Sequence, residues 1–298
     1  MRPPPFPISD ETLAERTGRR ERRFGIDRAE VGRLVDWARA AAPCFPDLAS
    51  VGTFVMFIGY PRSGHSIVGA LLDAHPEMAI AHELDVLRFR RGGLTRAEIM
   101  VLLAENSRRM ARLGRRAGAY AYHVPGGAQG RWDRLSAIGD KMGGAATRYL
   151  ATRESELDDF LAFLAMPVRF VHVVRHPLDN IASMAQRDRM PEGVDRIAGA
   201  IAIHRWLADR NADLLRRLGP GRATTIWHED LVDDPRRVLG GLCRFIGVDA
   251  PAVYLDACAA IVAPAPRRTR SAVAWSDAQL RQVGEAVAAH PFLRRYAL

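Results

Sequence analysis

The sequence is poor in cysteine, nearly empty of lysine and without a long apolar run. Its three cysteines, Cys44, Cys243 and Cys258, are odd in number and far apart, and no CxxC pair occurs. That excludes a disulfide framework or a zinc module and reads as reduced, buried thiols. No apolar stretch approaches the ~20 residues needed to cross a bilayer. The opening Met-Arg-Pro-Pro-Pro-Phe-Pro has no apolar segment suited to a secretory leader,. The expectation is a cytoplasmic protein with no membrane span. A formal net charge of +9 suits a polyanionic partner,. The arginines are scattered, however, with no dense basic tract and no interleaved aromatics, so nucleic acid is not expected. Lys141 is the only lysine in a chain with 43 Lys and Arg residues. A compact ammonium can approach one oxygen in a way that a planar guanidinium cannot.

What is present is a chain of 298 residues, long enough for one full core,. Residues 1–50 read as an N-terminal helical extension with helical spacing from Glu30 to Ala41, and residues 51–298 as the main domain. Residues 53–58, 78–81, 135–139, 168–174 and 223–227 read as short apolar strands, separated by helical stretches. Thr95 caps a helix expected to reach about Arg116, Pro177 opens another, and a long helix is expected from Val194 to Leu218. Strands alternating with helices predict an α/β fold, a three-layer parallel sheet with helices on both faces.

The turn after the first strand is Gly59-Tyr60-Pro61-Arg62-Ser63-Gly64-His65-Ser66. Strand, glycine turn and helix start together make a nest of backbone N–H donors at a positive helix end. The triphosphate-binding pattern needs Lys and then Ser or Thr after its last glycine. Here His65 follows Gly64, and no obvious strand-terminal Asp stands ready for magnesium. Glu83, Lys141 and Arg175 also fall at or just beyond the ends of expected strands, where parallel sheets place their ligand crevice.

These residues carry a resemblance. Phe57 to Gly64, followed by Leu71-Leu72-Asp73-Ala74-His75-Pro76, resembles the 5'-phosphosulfate loop of sulfotransferases that use 3'-phosphoadenosine 5'-phosphosulfate (PAPS). The likeness is strongest to the tyrosylprotein branch and its bacterial relatives. Val173-Val174-Arg175-His176-Pro177-Leu178-Asp179-Asn180, reaching Ser183, resembles the family's 3'-phosphate motif. Trp227-His228-Glu229-Asp230-Leu231 and the ending Leu293-Arg294-Arg295-Tyr296 add weaker likeness. The resemblance spans about residues 53–298 and implies a P-loop-like sulfotransferase fold.

It also implies roles. Arg62, Ser63, Gly64, His65 and Ser66 hold the 5'-phosphosulfate; Arg175 and Ser183 hold the 3'-phosphate; Arg268 and Arg270 close over it. Glu83 is the base, with His82 as the alternative, and Lys141 with Arg62 stabilises charge at the sulfuryl group. PAPS is then a co-substrate and no metal is required. The acceptor is a hydroxyl or amine of a small molecule, carbohydrate or lipid, in a pocket shaped by residues 84–135, including Asp85, Tyr120, Tyr122 and His123. Departures from the family pattern are His65 where Thr is usual, Ile67, Met142-Gly143-Gly144 after the lysine, and His228 in place of Tyr. His172, Trp206 and Trp227 read as core residues, and a homodimer is the expectation for quaternary structure. The competing readings are a P-loop nucleotide kinase or hydrolase and a non-catalytic anion-binding protein on the same fold.

Overall fold

A computed structural model describes residues 3–9, 28–117, 120–132, 134–186 and 195–296. Residues 10–27 of the expected extension, and the expected helix start at Val194, lie outside them. Five strands form one sheet: β1 (Thr53–Gly59), β2 (Met78–His82), β5 (Ala137–Lys141), β6 (Val168–Val174) and β7 (Ala223–Trp227). Two-residue strands β3 (Arg116–Ala117) and β4 (Tyr120–Ala121) pair separately as an antiparallel ladder. The sheet order is β2-β5-β1-β6-β7 and every pairing is parallel. The chain therefore reverses its direction of travel about β1, and the crevice at that switch point opens at the carboxyl ends of the strands.

Alternation along the strands divides the core. Phe54, Met56 and Ile58 of β1 pack on one face, and Val55 and Phe57 on the other. On the first face lie helices α1 (Arg28–Ala41), α4 (Arg96–Arg112) and α6 (Glu156–Leu164), with the end of α8 (Arg196–Leu218). On the second lie α2 (His65–Asp73), α10 (Pro235–Ile246) and α11 (Ala252–Ile261). Each fully buried Leu, Ile, Val or Phe contributes about 1.5–3 kcal/mol, which is why the strands read as unbroken apolar runs. Residues before position 50 share the first core, since Ile8, Leu34 and Trp37 are buried in the same cluster as β1.

Local signals are honoured where they are strong. Thr95 forms a full capping box with Glu98 at the start of α4,. That helix ends at Arg112, short of the expected Arg116. Gly114 has a positive φ of 68° there and turns the chain into β3,. Beyond β2 sits the short helix α3 (Val86–Arg91); beyond β5, α5 (Gly144–Leu150); beyond β6, α7 (Pro177–Ala185); beyond β7, α9 (His228–Asp233). A last helix, α12 (Asp277–Ala289), packs its Val283 and Val287 with α7 and α8. No helix among the described residues is long and apolar enough to cross a membrane.

Candidate active site

All five parallel strands deliver a residue to one place. Glu83 follows β2, Lys141 ends β5, Pro61 to Ser66 follow β1, Arg175 follows β6 and His228 follows β7. They border or underlie a cavity of about 860 Å³. Four of these strand ends were expected from sequence; His228, at the fifth, was seen only as a departure from a motif.

The loop after β1 is held from below. Gly59 N–H donates to Thr147 Oγ1 at 2.9 Å, Thr147 donates to Asn211 Oδ1 at 2.7 Å, and Asn180 Nδ2 donates to the Pro61 carbonyl at 2.7 Å. Within the loop Arg62 and Gly64 have φ of 67° and 93°. A non-glycine residue in the left-handed region costs roughly 1–2 kcal/mol and is held by its surroundings. Gly64 has a second constraint, because a Cβ there would lie 2.3 Å from the His228 ring.

Ser63 departs from expectation. It is fully buried, and its hydroxyl donates to the Tyr60 carbonyl at 2.9 Å. Its side chain is thus spent on closing the turn and leaves only backbone N–H for a ligand. Arg62, Gly64, His65 and Ser66 do line the cavity.

Lys141 is 1% exposed and threads past Gly69 of α2, where a Cβ would lie 2.7 Å from the lysine Cγ. Its Nζ donates to Glu83 Oε1 at 2.9 Å and to Ser66 Oγ at 3.1 Å. Burial works against the ammonium, and the Glu83 carboxylate offsets part of that; the net displacement of the lysine is downward,. For Glu83 burial pushes upward, but Lys141 overrides it and holds the carboxyl below the usual carboxylate range. His82, the alternative base, is buried. Desolvation and the Lys141 charge hold it far below the usual imidazole range. Glu83 lines the cavity and His82 does not.

Asp140 is a buried carboxylate beneath the site that the sequence did not single out. Fully buried, it accepts three backbone N–H bonds: from Leu84 at 3.1 Å, Asp85 at 2.8 Å and Val86 at 3.1 Å. The next backbone position takes the fourth, since Glu83 N–H donates to the Lys141 carbonyl at 3.1 Å. Glu83 and Asp85 both have positive φ, 55° and 70°. One dipeptide at the end of β5 therefore supplies the lysine and pins the strained turn that aims Glu83. Burial raises the Asp140 carboxyl to about 7 against the pull of its N–H donors.

On the β6 side Arg62 Nε donates to Ser183 Oγ at 3.1 Å. Arg175 is buried, hydrogen-bonds through its guanidinium to the Arg267 carbonyl and leaves its Nε without a partner. Desolvation lowers it, and nearby Arg62 adds to the lowering. Arg175 and Ser183, expected together, both line the cavity, and Arg62, expected with the 5'-phosphosulfate loop, reaches across to Ser183. Two arginines this close with an orphaned buried donor fit an anion. Arg270 is engaged elsewhere, donating to Asp179 Oδ2 at 2.5 Å, and neither it nor Arg268 lines the cavity. Arg267 does, donating to Tyr120 Oη at 3.0 Å, so the loop turns a different arginine inward than expected. Asp85, Tyr120 and Tyr122 line the wall and His123 does not. Among the described residues, no group of three or more His, Cys, Asp or Glu side chains is arranged to hold a metal ion.

A model of the sulfotransferase family matches residues 159–252, the segment that carries Arg175, Ser183 and His228. Among solved structures, the sulfotransferase domain of the Synechococcus PCC 7002 olefin synthase is 22% identical with a TM-score of 0.51, over 80% of this chain and 95% of that one. The chain has the sulfotransferase fold. Two further solved sulfotransferases match less closely. STF9 from Mycobacterium avium is 14% identical, TM-score 0.48, over 95% of this chain and 89% of that one. Mouse SULT7A1, solved in complex with PAP, is 13% identical, TM-score 0.47, over 82% and 89%. A search of curated proteins found no match. Within the sulfotransferase fold, the family match covers the β6–β7 half of the crevice, while Glu83 and Lys141 lie outside it. Family match and fold together support sulfotransfer in general.

Proposed function

We propose that the protein transfers a sulfuryl group from PAPS to a hydroxyl or amine of a small-molecule acceptor. The observation that carries this is the order of groups along the strand ends. A paired acid and ammonium (Glu83, Lys141) stand at β2 and β5, an anion loop with Arg62 at β1, and a pocket with the buried Arg175 and Ser183 at β6. A donor with a phosphate at each end of its ribose spans the β1 loop and the β6 pocket, and its reactive end then faces Glu83 and Lys141.

PAPS supplies the sulfuryl group. The acceptor oxygen or nitrogen forms its bond to sulfur as the sulfur–oxygen bond to the 5'-phosphate breaks, with the electron pair leaving on that oxygen as adenosine 3',5'-bisphosphate. Glu83 takes the acceptor proton. Lys141 and Arg62 stabilise the growing charge, so the scheme calls on no metal. Paired with Lys141, Glu83 is a weak base. When Lys141 turns from Glu83 toward the charge developing on the bridging oxygen, Glu83 loses its partner and becomes a stronger base at the moment the proton must move. The backbone at Gly64 to Ser66, with the α2 dipole behind it, receives the 5'-phosphosulfate.

The test is thermal stabilisation by adenosine 3',5'-bisphosphate, set against 5'-AMP and ATP–magnesium. A ligand at 100 times its Kd adds about 2.7 kcal/mol to the folded state. The expected outcome is a shift of about 5 °C or more for the bisphosphate alone, abolished in Arg175→Ala. Equal or greater stabilisation by ATP–magnesium overturns the reading.

A further inference from the structure

The acceptor side of the cavity is set by the sheet. Arg175 and His228 lie at β6 and β7, so the opposite end of the crevice, at β2 and β5, is left for the acceptor. Helix α5 begins three residues after Lys141, packs on β1 and α8, and reaches toward this end through Tyr149, which meets α3. Gly144, Ala145, Arg148, Tyr149 and Thr152 line the cavity. Gly144, Ala145, Arg148 and Tyr149, spaced by one, three and one, share a single helix face, and Thr152 lies just beyond the helix end at Leu150,. Gly144 packs closely under Pro61 of the anion loop, so the first turn of α5 is held against that loop. One turn further, about 6 Å along the axis, come Arg148 and Tyr149.

The charges on this wall are unevenly satisfied. Arg90 and Arg91 both bind Glu156, Arg91 at 3.1 Å, and Arg91 also lies over the Tyr149 ring, 3.9 Å from its centroid. Tyr149 is fixed further by its hydroxyl, which donates to the Leu87 carbonyl at 2.9 Å. Arg148 is different: among the described residues its guanidinium makes no hydrogen bond or ion pair. The carboxylates that face the cavity here have other duties. Glu83 holds Lys141, and Asp85 accepts from Arg88 N–H as the cap of α3.

Resting on the sulfotransferase reading, we propose that the acceptor carries an anionic group (carboxylate, phosphate or sulfate) which Arg148 binds about one helical turn from the hydroxyl or amine that is sulfated. The planar fork of Arg148 matches such a group bidentately. The braced ring of Tyr149 packs beside the acceptor's body. A cationic acceptor meets Arg148 with like charge and is disfavoured.

The test uses PAPS and two probe scaffolds in matched charge states: 4-hydroxyphenylacetate, 4-hydroxyphenylethanol and tyramine; and glucuronate, glucose and glucosamine. Release of adenosine 3',5'-bisphosphate gives kcat/KM, and stabilisation by that bisphosphate is measured in parallel. On at least one scaffold the anionic probe should exceed the neutral one by about tenfold or more, with the cationic probe last. Arg148→Glu should invert the order while keeping the bisphosphate shift. A ranking that ignores charge, no transfer to either anionic probe, or a ranking unchanged in Arg148→Glu overturns the proposal. Loss of the bisphosphate shift in Arg148→Glu also overturns it, by assigning Arg148 to the donor. If the bisphosphate fails to stabilise the unmutated protein, the sulfotransferase reading itself falls, and this inference with it.

Discussion

Removing either member of the Lys141–Glu83 pair should have very different effects on the unliganded fold. The ammonium is 1% exposed, whereas the Glu83 side chain is 37% exposed. Glu83→Gln leaves a buried cation with neutral acceptors alone, the Ser66 hydroxyl 3.1 Å away and the new amide oxygen. Stranding a buried charge costs about 3–5 kcal/mol; with Ser66 retained and an amide oxygen still nearby, about 2–4 kcal/mol is expected. Lys141→Met removes the desolvated charge itself and fills the slot along Gly69 with a side chain of similar length. The carboxylate left behind is more than a third exposed and water screens it, so the change should stay within about 1 kcal/mol. Urea unfolding midpoints of the two variants and the double variant, at pH 7 without ligand, measure the asymmetry and the coupling between the sites. Equal destabilisation, or a larger loss in Lys141→Met, would refute the claim that the ammonium is the costly partner. Both variants should lose transfer, by about 10²–10³-fold for Lys141→Met if the lysine stabilises charge in the transition state.

Three further outcomes follow from the same wall of the site. Asp140→Asn removes acceptor capacity for the 84–86 N–H groups, so the turn that aims Glu83 should loosen. Turnover should fall by about tenfold or more while stabilisation by adenosine 3',5'-bisphosphate is retained; unchanged turnover sinks the positioning role. The Asp140 carboxyl is raised from its unfolded value to about 7. The folded state therefore binds the extra proton, and this group's contribution to stability declines as pH rises from about 4 to 7; Asp140→Asn should flatten that slope. Glu83, held below the carboxylate range, stays ionised in the free enzyme at every pH above about 4.5,. The acid limb of kcat/KM should therefore lie below that value, and a limb near 6.5 would implicate a histidine in its place.

What the sequence disclosed was local or one-dimensional. The Thr95 capping box involves residues three apart and was readable. So were Glu83, Lys141 and Arg175, because a polar residue after an apolar run marks a strand end. Asp140 sat in plain view directly after such a run, beside Lys141. Its three acceptors' worth of work depends on a turn more than 50 residues away, which no spacing rule reaches. The same holds for Ser63, whose hydroxyl looked available until the turn folded it onto Tyr60. Trp206 was misread by residue type. It is 42% exposed on α8, although the buried positions Ile201, His204, Leu207, Ala208, Asn211, Leu214 and Leu218 trace a stripe that skips it. Period was the better guide than hydrophobicity there. Arg267 displaced Arg268 and Arg270 because Asp179 holds Arg270 through both backbone and side chain.

The departures from the family pattern turn out to be coupled through space. Gly143, one of the departures after the lysine, has a φ of 59°, and a Cβ there would stand 3.0 Å from the His65 ring. A Cβ at Gly144 would stand 2.6 Å from Pro61 Cδ. The imidazole that occupies the loop position usual for Thr is therefore accommodated by the glycine that follows Met142. On the other side of the loop, the His228 ring packs over Gly64, where a Cβ would meet it at 2.3 Å. Two imidazoles thus flank the anion loop, each against a glycine with positive φ, and burial lowers His228, with Arg175 adding to the effect. A neutral imidazole beside a positive cradle can take up a proton when an anion arrives, because the anion reverses the sign of the local field. The loop changed its side chains while keeping the property the fold requires of it, a positive turn with room for a phosphate.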